Sequence, residues 1–210
     1  MITLYSGTPG SGKSLHVAKY IRERLQTRGT VTIGNFYINV KSVKRRRGTY
    51  LCVSNHRLTP ARLITFARRL SAHYGRRLRE GEVVIVLDEA QLLFNSREWQ
   101  NMGRAGWLSF FTQHRHFGYD VILIAQFDRM LDRQIRSLIE YDVVHRRISR
   151  AGWFGAVLGF LTRGCLFAAV RRWYPVKQYL DMSFFWGGKR IYEIYDSYNC
   201  FDGPALKGGG

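Results

Sequence analysis

Eight residues near the amino terminus, Gly7-Thr8-Pro9-Gly10-Ser11-Gly12-Lys13-Ser14, match the pattern G-x-x-x-x-G-K-[ST] at every position. The spacing has a physical meaning. Glycines let a loop wrap until its main-chain N–H groups face one anion, and the helix that follows adds the positive end of its dipole. Lys13 would reach the β- and γ-phosphates of a nucleotide, and the Ser14 hydroxyl would hold Mg²⁺. Gly7 through Ser14, with Leu15 beside them, are therefore the candidate nucleotide contacts. A second group begins about 75 residues later, where five aliphatic residues, Val83–Leu87, deliver Asp88 and Glu89. A strand of that kind is buried on both faces and ends at the carboxyl edge of a sheet, where ligands bind in open α/β folds. There Asp88 can bind Mg²⁺, directly or through water, and Glu89 can polarise a water for attack on the γ-phosphate. Gln126 ends the next aliphatic run, VILIAQ, and is expected at the same edge, orienting water or sensing the γ-phosphate. Arg115, Arg133 and Arg136 flank that run, and each is a candidate arginine finger toward a neighbouring subunit.

Those residues need strands to carry them. Ile2–Tyr5 reads as a first strand, followed by helical spacing at Leu15, Ala18, Ile21 and Leu25 that Gly29 stops. Thr30–Phe36 reads as the second strand. The basic run Lys41–Arg47, between two β-like segments, reads as a hairpin tip. Thr59 and Pro60 are a cap and first residue for a helix whose apolar stripe is Leu63, Phe66, Ala67, Leu70 and Tyr74. Ala105–His116 is expected to be helical, Asp120–Ala125 a buried strand, Leu131 to Ile139 a further helix, and Val143-Val144 part of a last strand. Strands and helices alternating at this spacing predict βαβ crossovers and a three-layer α/β/α sandwich on a mainly parallel sheet. The alternation predicts a P-loop core over residues 1–150. Residues 151–200 form an apolar segment and hairpin packed on the same domain, and 201–210 a flexible tail. In that extension Tyr179–Phe185 and Arg190–Tyr195, separated by Trp186-Gly187-Gly188-Lys189, read as an antiparallel hairpin.

Composition bounds the rest. With 46% apolar residues among 210, global disorder is excluded. Lysine and arginine number 33 against 15 acids, a net charge of +18, which predicts anionic surroundings: nucleic acid, a phospholipid surface, or both. Arg62, Arg69 and Arg76 recur every seven residues, as along one helix flank. Other basic clusters lie beside Trp173, Tyr174 and Trp186, a mixture suited to single-stranded nucleic acid or to an anionic membrane face. Three widely spaced cysteines and six histidines without ligand spacing point to neither a disulfide framework nor a zinc site. The nearest approach to a membrane helix, Ala151–Val170, is cut by Arg163 into 12 and 7 residues, and it is expected to bury itself at an interface.

The segments TLYSGTPGSGKS, VVIVLDEAQLLF, HRHFGYDVILIAQ and DRQIRSLIEYDVVHRR, in this order, together with the ending IYEIYDSYN, resemble the zonular occludens toxin family. Its relatives include the gene I assembly protein of filamentous phages. The resemblance implies an inner-membrane ATPase, related to ring motors of the RecA and FtsK/HerA kind, that feeds coat protein onto single-stranded DNA as a DNA-binding protein is stripped away. It implies ATP with Mg²⁺, and a nucleotide domain on the cytoplasmic face of the bacterial inner membrane. Position by position, Lys13, Ser14, Asp88 and Glu89 match the two Walker motifs, Gln126 the sensor, and Arg115 a trans-acting arginine. The family continues through a membrane helix into an outer domain, to which its toxin activity is attributed, whereas this sequence stops at Leu206-Lys207-Gly208-Gly209-Gly210. Two other readings stand beside the motor: a small P-loop kinase, and a scaffold that binds nucleotide without hydrolysing it.

Overall fold

Six strands lie parallel because crossover connections, all but one of them carrying an α-helix, return the chain to the same sheet edge each time. A computed structural model describes residues 1–94, 103–150 and 152–195. Its strands are β1 (Ile2–Ser6), β2 (Val31–Gly34), β3 (Thr49–Cys52), β4 (Val83–Leu87), β5 (Tyr119–Ile124), β6 (Tyr141–Arg147), β7 (Leu166–Trp173) and β8 (Gln178–Trp186). Its helices are α1 (Lys13–Gln26), α2 (Pro60–Tyr74), α3 (Arg104–Gln113), α4 (Arg133–Ser137), α5 (Gly152–Leu161) and α6 (Lys189–Tyr192). The sheet order is β3-β2-β4-β5-β1-β6-β7-β8, with β1 to β6 parallel and β7 and β8 each antiparallel to the strand before.

Two cores sandwich the sheet, as the period of 2 along each strand requires. On one face Ile2, Leu4, Ile85, Leu87 and Leu123 pack with Leu63 and Ala67 of α2, Trp107, Phe110 and Phe111 of α3, and Ile135 of α4. On the other, Tyr5, Val84, Val86 and Ile124 pack with Leu15, Val17, Ala18, Ile21 and Leu25 of α1, and with Phe167 and Phe185. Burying such a side chain contributes roughly 1.5–3 kcal/mol. A three-layer α/β/α sandwich results, mainly parallel, with a hairpin extension.

The sequence expectations meet three corrections. Lys41–Arg47 is no hairpin tip: β2 and β3 pair in parallel, Val31 beside Thr49, so the run belongs to a crossover. The C-terminal hairpin is β7–β8, not Tyr179–Phe185 with Arg190–Tyr195. Its turn is Tyr174 to Lys177, where Pro175 suits the second turn position, Lys177 takes φ +54° and its N–H donates to the Tyr174 carbonyl. Gly187 instead follows β8, packed so closely that a Cβ there would lie 3.0 Å from the Phe167 ring and 3.2 Å from Leu15. Arg76, third in the sevenfold arginine series, lies beyond α2, which Gly75 ends at φ +63°. It folds onto Glu82 at 2.5 Å. The stretch Ala151–Val170 divides into α5 and β7, and Trp153, Phe160 and Leu161 of α5 stand 70%, 87% and 74% exposed. Residues 201–210 lie outside the described residues.

Candidate functional site

The carboxyl ends of β1, β4 and β5 converge at one sheet edge, and β5 separates the other two. The loop leaving β1 is tied to β5 at once, since Gly7 N–H donates to the Gln126 carbonyl at 3.1 Å. Its path depends on two glycines. Gly7 (φ +143°) passes so close to β6 that a Cβ would lie 2.6 Å from the His145 carbonyl oxygen. Gly12 caps α1 at φ +95°, where a Cβ would lie 2.6 Å from the Phe167 ring. L side chains avoid both conformations even where space allows. Lys13, first residue of α1, turns back over the loop and donates to the carbonyls of Gly7 (2.6 Å) and Thr8 (3.2 Å). Burial holds its ammonium pKa below the usual lysine range, against the pull of Asp88 and Glu89. The fold thus brings the two sequence-distant motifs within electrostatic reach of each other.

Asp88 is clamped from several directions. Asn35, just past β2, accepts from its main-chain N–H (2.7 Å) and donates to its carbonyl (2.8 Å). One carboxylate oxygen, Oδ1, accepts from Glu89 N–H at 2.9 Å; the other, Oδ2, accepts from the Tyr195 hydroxyl at 2.6 Å. Burial pushes the Asp88 pKa up, partly offset by those two hydrogen bonds. Glu89 itself sits at φ +48°, a left-handed conformation that costs a non-glycine residue about 1–2 kcal/mol and that collects at functional sites. Its carboxylate accepts from the Gln91 side-chain amide. Ser14 follows Lys13 in the first turn of α1, and Gln126 follows β5.

The donor set suits a hard cation. Ser14 supplies a hydroxyl and Asp88 a largely buried carboxylate, and Mg²⁺ takes few protein oxygens because it keeps waters and shares phosphate oxygens. No group of three or more His, Cys, Asp or Glu among the described residues could hold a metal on its own.

Beneath the loop lies a buried histidine pair. His145 Nδ1 faces the Ser6 carbonyl at 3.2 Å, so it must donate; its neutral ring then accepts at Nε2 from His16 Nδ1 at 2.8 Å. Burial takes His16 down to about 4, with Lys19 adding to the effect. It takes His145 down to about 3, with His16 and Lys13 adding.

Arg115 is not brought to this edge. It lies before β5, at the amino edge, where it contacts Glu80 at 3.1 Å and Glu140, beside the terminal amine of Met1 and Asp120. A five-residue strand puts about 16 Å between the two edges. A role for Arg115 would have to be played in a neighbouring subunit. Arg133 and Arg136 lie in α4, after β5. The residues that sequence reasoning missed are Asn35, Gln91, Tyr195 and Arg150, whose guanidinium donates to the Pro9 carbonyl at 3.2 Å on the loop's rim. Gln91 lies only two residues from Glu89, but no local pattern marks the other three, since Asn35 and Tyr195 lie 53 and 107 residues from Asp88, and Arg150 lies 141 from Pro9.

Residues 1–160 match the family model described as zonular occludens toxin (Zot). The Gene 1 protein of Enterobacteria phage f1 is 29% identical over 127 residues, which are 56% of this chain and 36% of that protein. The chain thus spans about a third of the length of the curated relatives it matches. Among solved structures, the N-terminal domain of zonular occludens toxin from Neisseria meningitidis superposes with a TM-score of 0.56 at 17% identity, covering 93% of this chain and 98% of that one. The DNA-packaging ATPase of Sulfolobus turreted icosahedral virus superposes at 0.53 and 14% identity, covering 87% and 95%. At those identities both establish a shared fold.

Proposed function

This chain belongs to the zonular occludens toxin family, and on that premise we propose that it is a Mg²⁺-dependent ATPase domain, acting as a ring-like homo-oligomer in the assembly and extrusion of filamentous phage. The observation that carries the reading is the convergence at one sheet edge of a glycine-strained loop, Lys13 lying over it, and the Asp88–Glu89 pair. The loop N–H groups and the α1 terminus would cradle phosphates, and Lys13 would move from the Gly7 and Thr8 carbonyls to the β/γ oxygens. Mg²⁺ held by Ser14 and Asp88 would neutralise charge on those oxygens. Glu89 would accept a proton from attacking water, and Gln126 would orient that water. The choice of ATP follows the family resemblance, as do the partners: coat protein, single-stranded DNA or its binding protein, and the inner membrane. No helix among the described residues is long and apolar enough to cross a membrane. The exposed apolar side chains of α5 support self-association.

Phosphate release with Mg-ATP, titrated over protein concentration, tests the reading. Specific activity should rise with concentration, and Lys13→Ala should lower it by roughly 100- to 1,000-fold. Glu89→Gln should bind ATP but not turn it over. A chain that binds nucleotide yet never releases phosphate would leave the scaffold in place of the motor, while phosphoryl transfer to an added hydroxyl acceptor would favour the kinase.

A further inference from the structure

Tyr195 comes from the far end of the described chain, beyond the 1–160 stretch that matches the family, yet its hydroxyl meets the carboxylate expected to serve the metal. We propose that Tyr195 is a positioning residue that sets the orientation of the Asp88 carboxylate and thereby the affinity of the site for a divalent cation. The inference rests on the nucleotide-site reading above.

A carboxylate turns easily about its last bond, because that sp³–sp² torsion has broad, roughly two-fold wells. At Asp88 the rotation is stopped by donors on different oxygens, Glu89 N–H on Oδ1 and the Tyr195 hydroxyl on Oδ2. Asn35 fixes the main chain but touches neither oxygen. A carboxylate offers about four lone-pair sites, so the two donors leave others for a cation, in a direction already chosen. The phenol is itself seated. Ile191 and Ile194 are buried in the α1-side core, Ile194 accepts through its carbonyl from Asn39 N–H at 2.9 Å, and the Tyr195 ring meets Phe36 edge-on at 5.5 Å. Phe36 and Asn39 belong to the segment that leaves β2, as does Asn35. The tail after α6 is thus docked on the segment that holds the Asp88 main chain.

The test uses the full chain and Mn²⁺, titrated by electron paramagnetic resonance with a saturating non-hydrolysable ATP analogue. Tyr195→Phe keeps the ring and removes the hydroxyl. It should weaken Mn²⁺ about tenfold, the scale at which outer-shell partners act on metal ligands. Analogue affinity in EDTA should change by less than about twofold, the response of a metal-positioning group rather than of a general packing residue. Tyr192→Phe, which removes an exposed phenol from the same segment, should behave as wild type. Mn²⁺ binding by Tyr195→Phe within twofold of wild type, or tighter, would overturn the proposal. Should circular dichroism show that variant unfolded, 3-fluorotyrosine at position 195 keeps the shape and strengthens the donor, holding the carboxylate more firmly; Mn²⁺ affinity must then rise, and an unchanged or weaker value overturns the proposal. A wild-type chain that binds Mn²⁺ no better with the analogue than without it would instead overturn the nucleotide-site reading, and this proposal with it.

Discussion

The two edges of one sheet treat charge in opposite ways. At the amino edge, Arg76 and Arg115 meet carboxylates: Glu82 for the first, Glu80 and Glu140 for the second. A cleft of about 430 Å³ there is lined by Arg24, Arg28, Arg76 and Arg79, but also by Glu80 and Glu82. The hydrogen bond from Arg76 holds Glu82 below the usual carboxylate range. At Glu140, burial pushes the pKa up but is outweighed by Arg115 and the terminal amine, so it too is lowered. At the carboxyl edge the shifts run the other way, as burial lowers Lys13 and raises Asp88. Lys13 is held by main-chain carbonyls and Asp88 by N–H and O–H donors. Charges settled by opposite charges contribute modest stability; charges held by neutral dipoles keep their field for a ligand.

The largest test of that contrast compares two glycines. Gly12→Ala would bring a Cβ to 2.6 Å from the Phe167 ring at φ +95°, and should lower unfolding free energy by about 3 kcal/mol and remove nucleotide binding. Gly75→Ala, also at positive φ but with nothing within 4 Å, should cost about 1 kcal/mol and leave binding intact. Chemical denaturation and an analogue titration read both, and similar losses of binding would remove the distinction between the edges.

Acid separates the edges next. His16 and His145 stay neutral in the fold to about pH 4 and 3, whereas in the unfolded chain they take up protons near 6.5. Their contribution is therefore present above pH 6.5 and is lost as pH falls from there toward 3, on the order of 3 kcal/mol for the coupled pair. Glu82 and Glu140 have folded pKa values below the ordinary glutamate value, so their contribution is lost only at lower pH, beneath about 4.5. Stability measured against pH should fall in those two stages, and His145→Gln should flatten the upper one. A single stage below pH 4.5 in the wild type would mean the histidines are not held neutral.

The smallest effect is expected at Arg115. Its side chain is half exposed, and such pairs are worth about 0–1 kcal/mol. Arg115→Ala should leave ATP turnover within about threefold at low protein concentration. A hundredfold loss confined to high concentration, with the fold intact, would make the amino edge part of a neighbour's site and erase the contrast.

Much of this was legible beforehand where signals are local. The glycine loop could be read because its spacing is itself the mechanism, and Val83–Leu87 because five adjacent aliphatics suit only a strand covered on both faces. In the sequence Gly187-Gly188 looks like a hairpin turn, whereas those residues follow a strand, and Gly187 packs against Phe167. The parallel pairing of β2 with β3 leaves no trace in either segment, since a ladder partner is chosen by the whole sheet.

Local sequence is enough to specify that a strand, a phosphate-shaped loop and a helix follow one another, and that a second buried strand ends in Asp88 and Glu89. Those are nearest-neighbour properties of backbone freedom and apolar spacing. Packing of distant segments sets the rest: β5 lies between the two strands, Arg115 lies at the opposite edge from the loop, and Asn35 and Tyr195 grip Asp88. Contacts across 53 and 107 residues exist only once packing has brought distant segments within hydrogen-bond reach, and no local pattern encodes that distance.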